Sequence, residues 1–400
     1  MTLHQTTHKV PTLLLLACLL TLWSNDAQAV GTRRFVLDTL KTLEDGDLTG
    51  VAITSNGEVR AGWTLGKTPI LDATSVWSSV VLSDGSVLLG TGTGGRIYKV
   101  AGGKVTIAAE TDGMAVSALA IGFGGDVFAG TFPDGKLYRI AQSKLDGSKQ
   151  QPWLELKETE DIWGLAFDPG KKALYAATGP EGKLYRITAT KQAEVHFDSE
   201  EAHLVSVAVG PDGSVYAGSN GKALLYKLTG PGRVHVVYDF DADDVKAIAV
   251  AAADQGGAVF AIANKYSGSF KGLRPKSSSS GGNLGAKPQA PKPPKGGKGR
   301  LMRFDGRGVA ELMLKNDDTH FVTLVLDEKA VPYVGTGTEG KVYSVDDNHV
   351  ERLVADTEER QVGALSVTGK TRFVATTDQV VFHAITGSGG ADAKWTSKAL

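Results

Sequence analysis

Asp161, His203, Asp244 and His320 recur at intervals of 42, 41 and 76 residues. The long interval holds a 33-residue low-complexity run, 267–299, without which it would be 43. Two carboxylates and two imidazoles, one per repeat, can hold a divalent metal or polarise a substrate once a fold gathers them. Gln361 continues the series, and Ser75 and Ala115 precede it. Two residues after each of these seven positions stand Trp77, Ser117, Trp163, Val205, Lys246, Val322 and Gly363. Trp77 and Trp163 offer stacking surfaces for a sugar or peptide, and Lys246 adds one positive charge. Polar residues in such places also tie repeats together by hydrogen bonds, and tryptophans also fill cores. Structural, ligand-binding and metal-binding roles all stay open for this set.

The elements that must position these residues are strands. Residues 163–187, WGLAFDPGKKALYAATGPEGKLYRI, read as three strands with apolar residues at period two, broken by turns at Pro169-Gly170 and Glu181-Gly182. The phrase recurs as GTGTGGRIY (90–98), GTFPDGKLY (130–138) and GTGTEGKVY (335–343), with a looser GSNGKALLY at 218–226. First strands centred on Ala52, Val80, Ala120, Ala166, Ala208, Ala249, Val325 and Ser366 are spaced, after the first, near the roughly 40–45 residues of a propeller blade. One such unit cannot bury its faces alone, whereas units stacked around an axis can. The spacing predicts an all-β, seven-bladed propeller of four-stranded antiparallel blades, with eight blades as the alternative if the first hairpin counts as one. Residues 75–390 form the repeats and 30–74 complete the ring, with the missing strand of the last blade expected from 33–63. Residues 391–400 are either a terminal strand or the start of a further domain. In such a ring the seven recurring positions surround the mouth of the central channel.

The G-T-G-x-x-G-K-[LV]-Y and A-x-x-P-x-G-x-[LV]-Y phrasing resembles bacterial exported seven-bladed propellers of the WD40/YVTN-like superfamily, over residues 45–390. The resemblance implies the fold. It implies little about function, because such propellers host lyases, sensors, scaffolds and adhesins.

Residues 1–29 read as a signal peptide. Lys9 precedes an apolar run at 13–23, and Ala27-Gln28-Ala29 forms a cleavage site. The run is too short to span a bilayer. The mature chain is therefore expected to begin near Val30, in an extracytoplasmic (periplasmic or secreted) setting. Cys18, the sole cysteine, lies inside this leader, so thiol and disulfide chemistry are excluded from the mature chain. A lipoprotein site at Leu15-Leu16-Ala17-Cys18 is the alternative reading of that cysteine. Residues 267–299 are rich in Ser, Gly and Pro and are expected to be a disordered loop. Between 271 and 300 there are eight Lys/Arg and no acid, against 34 basic and 43 acidic residues in the rest of the mature chain. The loop is either a spacer or a basic tether for an anionic partner.

Several motifs are excluded by context. The two G-x-G-x-x-G matches, at Gly90 and Gly335, run into strands rather than the helix a dinucleotide site needs. Asp239, Asp241 and Asp243 echo a calcium loop, yet Asp244 replaces its turn glycine and Val250 its final glutamate. No H-E-x-x-H or G-x-S-x-G occurs. The expected function is that of an exported, non-catalytic binding or scaffold module for a protein or cell-surface polysaccharide. Its ligand-binding residues would be Asp161, His203, Asp244, His320, Gln361, Trp77, Trp163 and Lys246 at the mouth. No cofactor, no specific nucleic acid and no transmembrane segment are expected, and a monomer is favoured. The rival expectation is a lactonase- or lyase-type enzyme with a divalent metal held by Asp161, His203, Asp244 and His320.

Overall fold

The computed structural model describes residues 36–266, 297–388 and 394–396. The expected leader and residues 267–296 of the insert lie outside the described residues. The insert was expected to run to 299, but Lys298 and Gly299 already belong to a strand, paired with Lys265 and Asn264.

The chain is a β-propeller. Asp38–Leu400 forms one compact unit, and its described residues contain seven four-stranded antiparallel meanders. The first blade runs Val76–Val81, Val87–Thr91, Arg96–Ala101 and Lys104–Glu110. The innermost strands of the next six are Ala115–Ile121, Asp161–Asp168, His203–Val209, Asp244–Val250, Phe321–Leu326 and Gln361–Ser366. Each innermost strand contacts the next, and the last contacts the first, so the ring closes. At the seam, Val76 N–H donates to Thr377 Oγ1 at 3.4 Å, and the Thr371 hydroxyl donates to Gly85 O.

The closing strand comes from 63–69, inside 30–74 but at and beyond the end of the expected 33–63. The hairpin Val51–Thr54 and Val59–Ala61 extends the outer edge of the sixth blade, with Ile53 opposite Leu353. The missing strand of the seventh blade comes from just beyond it. Trp63–Leu65 and Thr68–Pro69 pair with Val381–Ser388. Lys394–Thr396 is a strand against Asp47–Thr49.

The core lies between neighbouring sheets. Val87, Leu89 and Tyr98 of the first blade pack on Phe373, Ala375 and Phe382 of the seventh. Leu88 and Ile97 face the other way, onto Val116, Val127 and Tyr138 of the second. Alternation along one strand thus feeds two seams, and each fully buried side chain of this size contributes about 1.5–3 kcal/mol. Hairpin turns follow local rules. At Asp84-Gly85 and Asp212-Gly213 the glycine is left-handed and the aspartate accepts a backbone N–H two residues on. The turn expected at Pro169-Gly170 instead places Lys172 in the left-handed region.

Nearest the axis, blades approach too closely for large side chains. In six blades the paired positions Ser78/Gly90, Ala118/Gly130, Gly164/Ala177, Ser206/Gly218, Thr323/Gly335 and Ala364/Ala375 are all small, and in the fifth Ala247 faces the larger Ile262. A Cβ on Gly90 would lie 2.7 Å from Val116 O, and one on Gly335 2.7 Å from Val362 Cβ. Ser78 and Ser206 use the same proximity to donate to Val116 O and Val245 O of the following blade, at 3.1 and 2.7 Å.

Candidate functional site

Directly above this small-residue layer, the pairing of the first two strands slips by one residue in every blade. The slips fall between Val76/Ser78, Val116/Ala118, Ile162/Gly164 and Leu204/Ser206 in the first four blades. In the other three they fall between Val245/Ala247, Phe321/Thr323 and Val362/Ala364. The bulged residues are therefore Trp77, Ser117 and Trp163, then Val205 and Lys246, then Val322 and Gly363. A bulge adds one residue against a single partner and re-aims its side chain. All seven line one cavity of about 750 Å³ at the mouth of the ring. The bulge is the physical reason that these positions, two past each strand start, converge.

The cavity has two unlike sides. Blades one to three supply an aromatic wall: Trp77 and Trp163 line the cavity 6.4 Å apart, and Phe132, outside the lining, packs against both, 5.2 Å from Trp77 and 5.5 Å from Trp163. Trp77 is 40% exposed, a large apolar surface left uncovered. Its indole N–H donates to Ser75 Oγ at 2.9 Å, which fixes the ring's orientation. Ser117, between the two tryptophans in the ring, is small and donates to Ile162 O, leaving room for the aromatic contact. Phe132 escaped the sequence reading. Its signal was a substitution: it stands in GTF where two sister turns carry GTG, opposite the smallest strand start, Ala115.

Blades four to six supply polar groups. The four Asp/His residues do not gather into one set. Among the described residues no group of three or more His, Cys, Asp or Glu side chains is placed to hold a metal. Instead they fall into two pairs with different surroundings. His203 Nδ1 accepts the Trp163 indole N–H at 3.1 Å and lies 3.9 Å from Asp161 Oδ2. The indole is a donor only, so that nitrogen carries no proton and is already occupied. Asp161 is half-buried, burial raises its carboxyl pKa, and it does not line the cavity.

Asp244 is 6% exposed and does line the cavity. Its Oδ2 accepts the Tyr266 hydroxyl at 2.8 Å and its Oδ1 the Asn264 amide at 3.1 Å. Asn264 also exchanges hydrogen bonds of 2.9 and 2.8 Å with the backbone of Phe321, clamping the fifth blade to the sixth. Burial raises the Asp244 pKa against the opposing pull of Lys246. His320 packs edge-on to Tyr266 at 5.4 Å, and burial, reinforced by the Lys246 charge, lowers its pKa. His320 sits over Gly337, where any Cβ would overlap the imidazole. Among the described residues its Nδ1, like Thr323 Oγ1, is a buried polar atom without a partner. Gln361 and Lys246 also line the cavity. Asn264 repeats Asn220 of the fourth blade, each opposite its strand start, and Asn220 also lines the cavity. Neither they nor Tyr266 were picked out by the spacing of the first strands.

A second cavity, of about 890 Å³, lies among residues 44–51, 63–67 and the sixth and seventh blades. Its charges are matched internally: Lys67 with Glu358 at 2.9 Å, Lys341 with Glu339 at 3.1 Å, and buried His383 with Glu359 at 2.9 Å. The first of these, with the Tyr343 hydroxyl donating to Glu44 at 2.9 Å, ties the N-terminal segment to the ring. The mouth, with unmatched polar groups and an uncovered indole, is the candidate site.

Solved structures share this fold. Virginiamycin B lyase from Staphylococcus aureus superposes with a TM-score of 0.61 at 12% identity, over 80% of this chain and 99% of that one. The WD40 β-propeller domain of Doa1 gives 0.57 at 11% identity, over 82% and 97%. The extracellular domain of a hybrid two-component system of B. thetaiotaomicron gives 0.56 at 12% identity, over 80% and 39%. No family model matches the chain, and no curated protein does. At these identities the likeness is one of fold, and enzymes and non-enzymatic domains share it.

Proposed function

We propose that this chain is an exported binding module that takes a protein or cell-surface polysaccharide partner at the propeller mouth, without catalysis of its own. One observation carries the reading. Seven bulged residues of different chemistry face one cavity, while the first-strand residue just beneath each bulge is small in every blade. A site that varies above a layer that does not is a rigid frame with a free choice of contacts. Among the described residues no helix is long and apolar enough to cross a membrane. The address rests on the sequence of residues 1–29. N-terminal sequencing of the exported protein should start near Val30, and an uncleaved start would remove that part of the proposal. The binding test is capture of partners from envelope and polysaccharide fractions by the wild type and by Trp77→Ala/Trp163→Ala. Partners retained equally by the double variant would show that binding lies elsewhere.

A catalytic reading at the same mouth has one observation in its favour. His320 is kept neutral by burial and its Nδ1 is unpartnered, the state a general base requires. Metal analysis with and without chelator, beside hydrolase and lyase assays of His320→Ala, separates the two. Turnover lost with His320 would favour the enzyme.

A further inference from the structure

The mouth carries more charge information than its overall polarity suggests. Four of its side chains carry ionisable groups: Asp244, Lys246, His203 and His320. Asp244 already gives one oxygen to Tyr266 and the other to Asn264. His203 has its Nδ1 committed to Trp163. His320 offers a neutral ring. Lys246 differs from all of these. It makes no hydrogen bond or ion pair among the described residues, and it is half-buried between the bulged apolar residues Val205 and Val322 in the ring order. A cation in that setting is stronger toward an incoming anion than one on an open surface, because less water screens it.

Beside it are further groups that lack partners. Among the described residues, His320 Nδ1 and Thr323 Oγ1 are buried and unsatisfied, and both residues line the cavity. A buried polar atom without a partner costs about 1–3 kcal/mol until a water or ligand meets it. Facing these groups is a tilted aromatic platform, with 32° between the planes of Trp77 and Trp163. A planar aromatic ligand would require a flat slot. A pyranose, with an apolar C–H face and hydroxyls around its rim, fits a tilted platform opposed by scattered donors and acceptors.

We propose that the mouth selects an acidic saccharide, stacking a sugar ring on Trp77 and Trp163 while Lys246 takes its carboxylate. The inference rests on the mouth being the binding site and adds the ligand's chemical class. The sequence that follows Tyr266 agrees in sign, since it is the strongly basic stretch of an otherwise acidic chain.

The test is calorimetry on the full chain with three probes: digalacturonate, its carboxyl-reduced neutral counterpart, and a short polyglutamate. Wild type should bind the acidic sugar roughly 10-fold more tightly than the neutral one, the ratio expected of one charge-assisted hydrogen bond. Lys246→Gln should bring that ratio to about 1 and Lys246→Arg should restore most of it. Trp77→Ala should weaken both sugars alike. Thermal melts of all three variants check that they fold. Equal affinity for the two sugars, or a preference surviving Lys246→Gln, overturns the inference and leaves the mouth reading in place. Polyglutamate bound through Lys246 with no sugar bound overturns the saccharide class alone. Silence of all three probes overturns the inference, and partner capture by Trp77→Ala/Trp163→Ala then decides the mouth reading separately.

Discussion

Two adjacent rings of residues behave in opposite ways. In the lower ring, just past each bulge, the side chains are Ser78, Ala118, Gly164, Ser206, Ala247, Thr323 and Ala364, and none is large. In the bulged ring above it, tryptophan, serine, valine, lysine and glycine all occur. The lower ring is where neighbouring blades come closest, so packing sets its composition. The bulge lifts one residue per blade out of that constraint and turns it toward the channel. One irregularity of pairing thus frees one residue per blade from the packing constraint, although Ser78, Ala247, Thr323 and Ala364 of the lower ring still line the cavity beneath the bulged residues.

The contrast can be broken by experiment. Its largest consequence is expected at Gly90, where a Cβ would meet Val116 of the next blade. Gly90→Val should cost about 3 kcal/mol in urea unfolding, with or without any ligand. A loss below about 0.5 kcal/mol would mean that the lower ring is not the constraint. Next comes Trp77→Ala in the upper ring. Binding at the mouth should fall roughly 10-fold or more, while stability falls less than for Gly90→Val because 40% of the indole is already in water. The reverse order of stability losses would make Trp77 a packing residue.

A smaller effect concerns pH. Burial lowers the His320 pKa below the ordinary 6.5. The unfolded chain therefore takes up this proton first as pH falls. The neutral ring's contribution is complete above 6.5 and is lost as pH drops through the folded value, at up to about 1.4 kcal/mol per pH unit. His320→Gln should flatten the stability profile below pH 6.5. His196, whose pKa is also lowered by burial, lies in the third blade outside the mouth. His196→Gln should flatten the same window, and only the His320 contribution should respond to an added mouth ligand. A ligand that shifts both equally would count against a local site. The smallest effect is Val322→Thr in the upper ring, which should change stability by less than about 0.5 kcal/mol. A larger cost would place Val322 in the core.

The architecture was legible because each first strand repeats its apolar alternation near one spacing, which located Asp161, His203, Asp244 and Gln361 at strand starts. The bulges were not legible, since one extra residue leaves the local alternation readable on either side of it. Positions 77, 163 and 246 were therefore picked out by spacing, without the reason for their convergence. The Asp/His series misled as a metal set for a related cause: spacing assigns one residue per blade but not the partners that claim it. Trp163 claims His203, and Tyr266 with Asn264 claims Asp244. Closure was assigned to 33–63 because the hairpin at 51–61 alternates as any strand does. Nothing local says which sheet edge, hundreds of residues away, a strand will join.

That closure makes the ring a clasp. Thr386 donates to Thr64 O across 322 residues of chain, so these bonds form only when nearly the whole molecule is in place. The chain is discontinuous along the circle at the seam inside the seventh blade, where Val381–Ser388 meets Trp63–Leu65 and Thr68–Pro69, the strands that lead into the first blade. Trp77 and Gly363, one from each side of that seam, both line the mouth. A guest seated there would act as a rivet across the clasp, and its arrival would register as slower opening of the whole ring to protease.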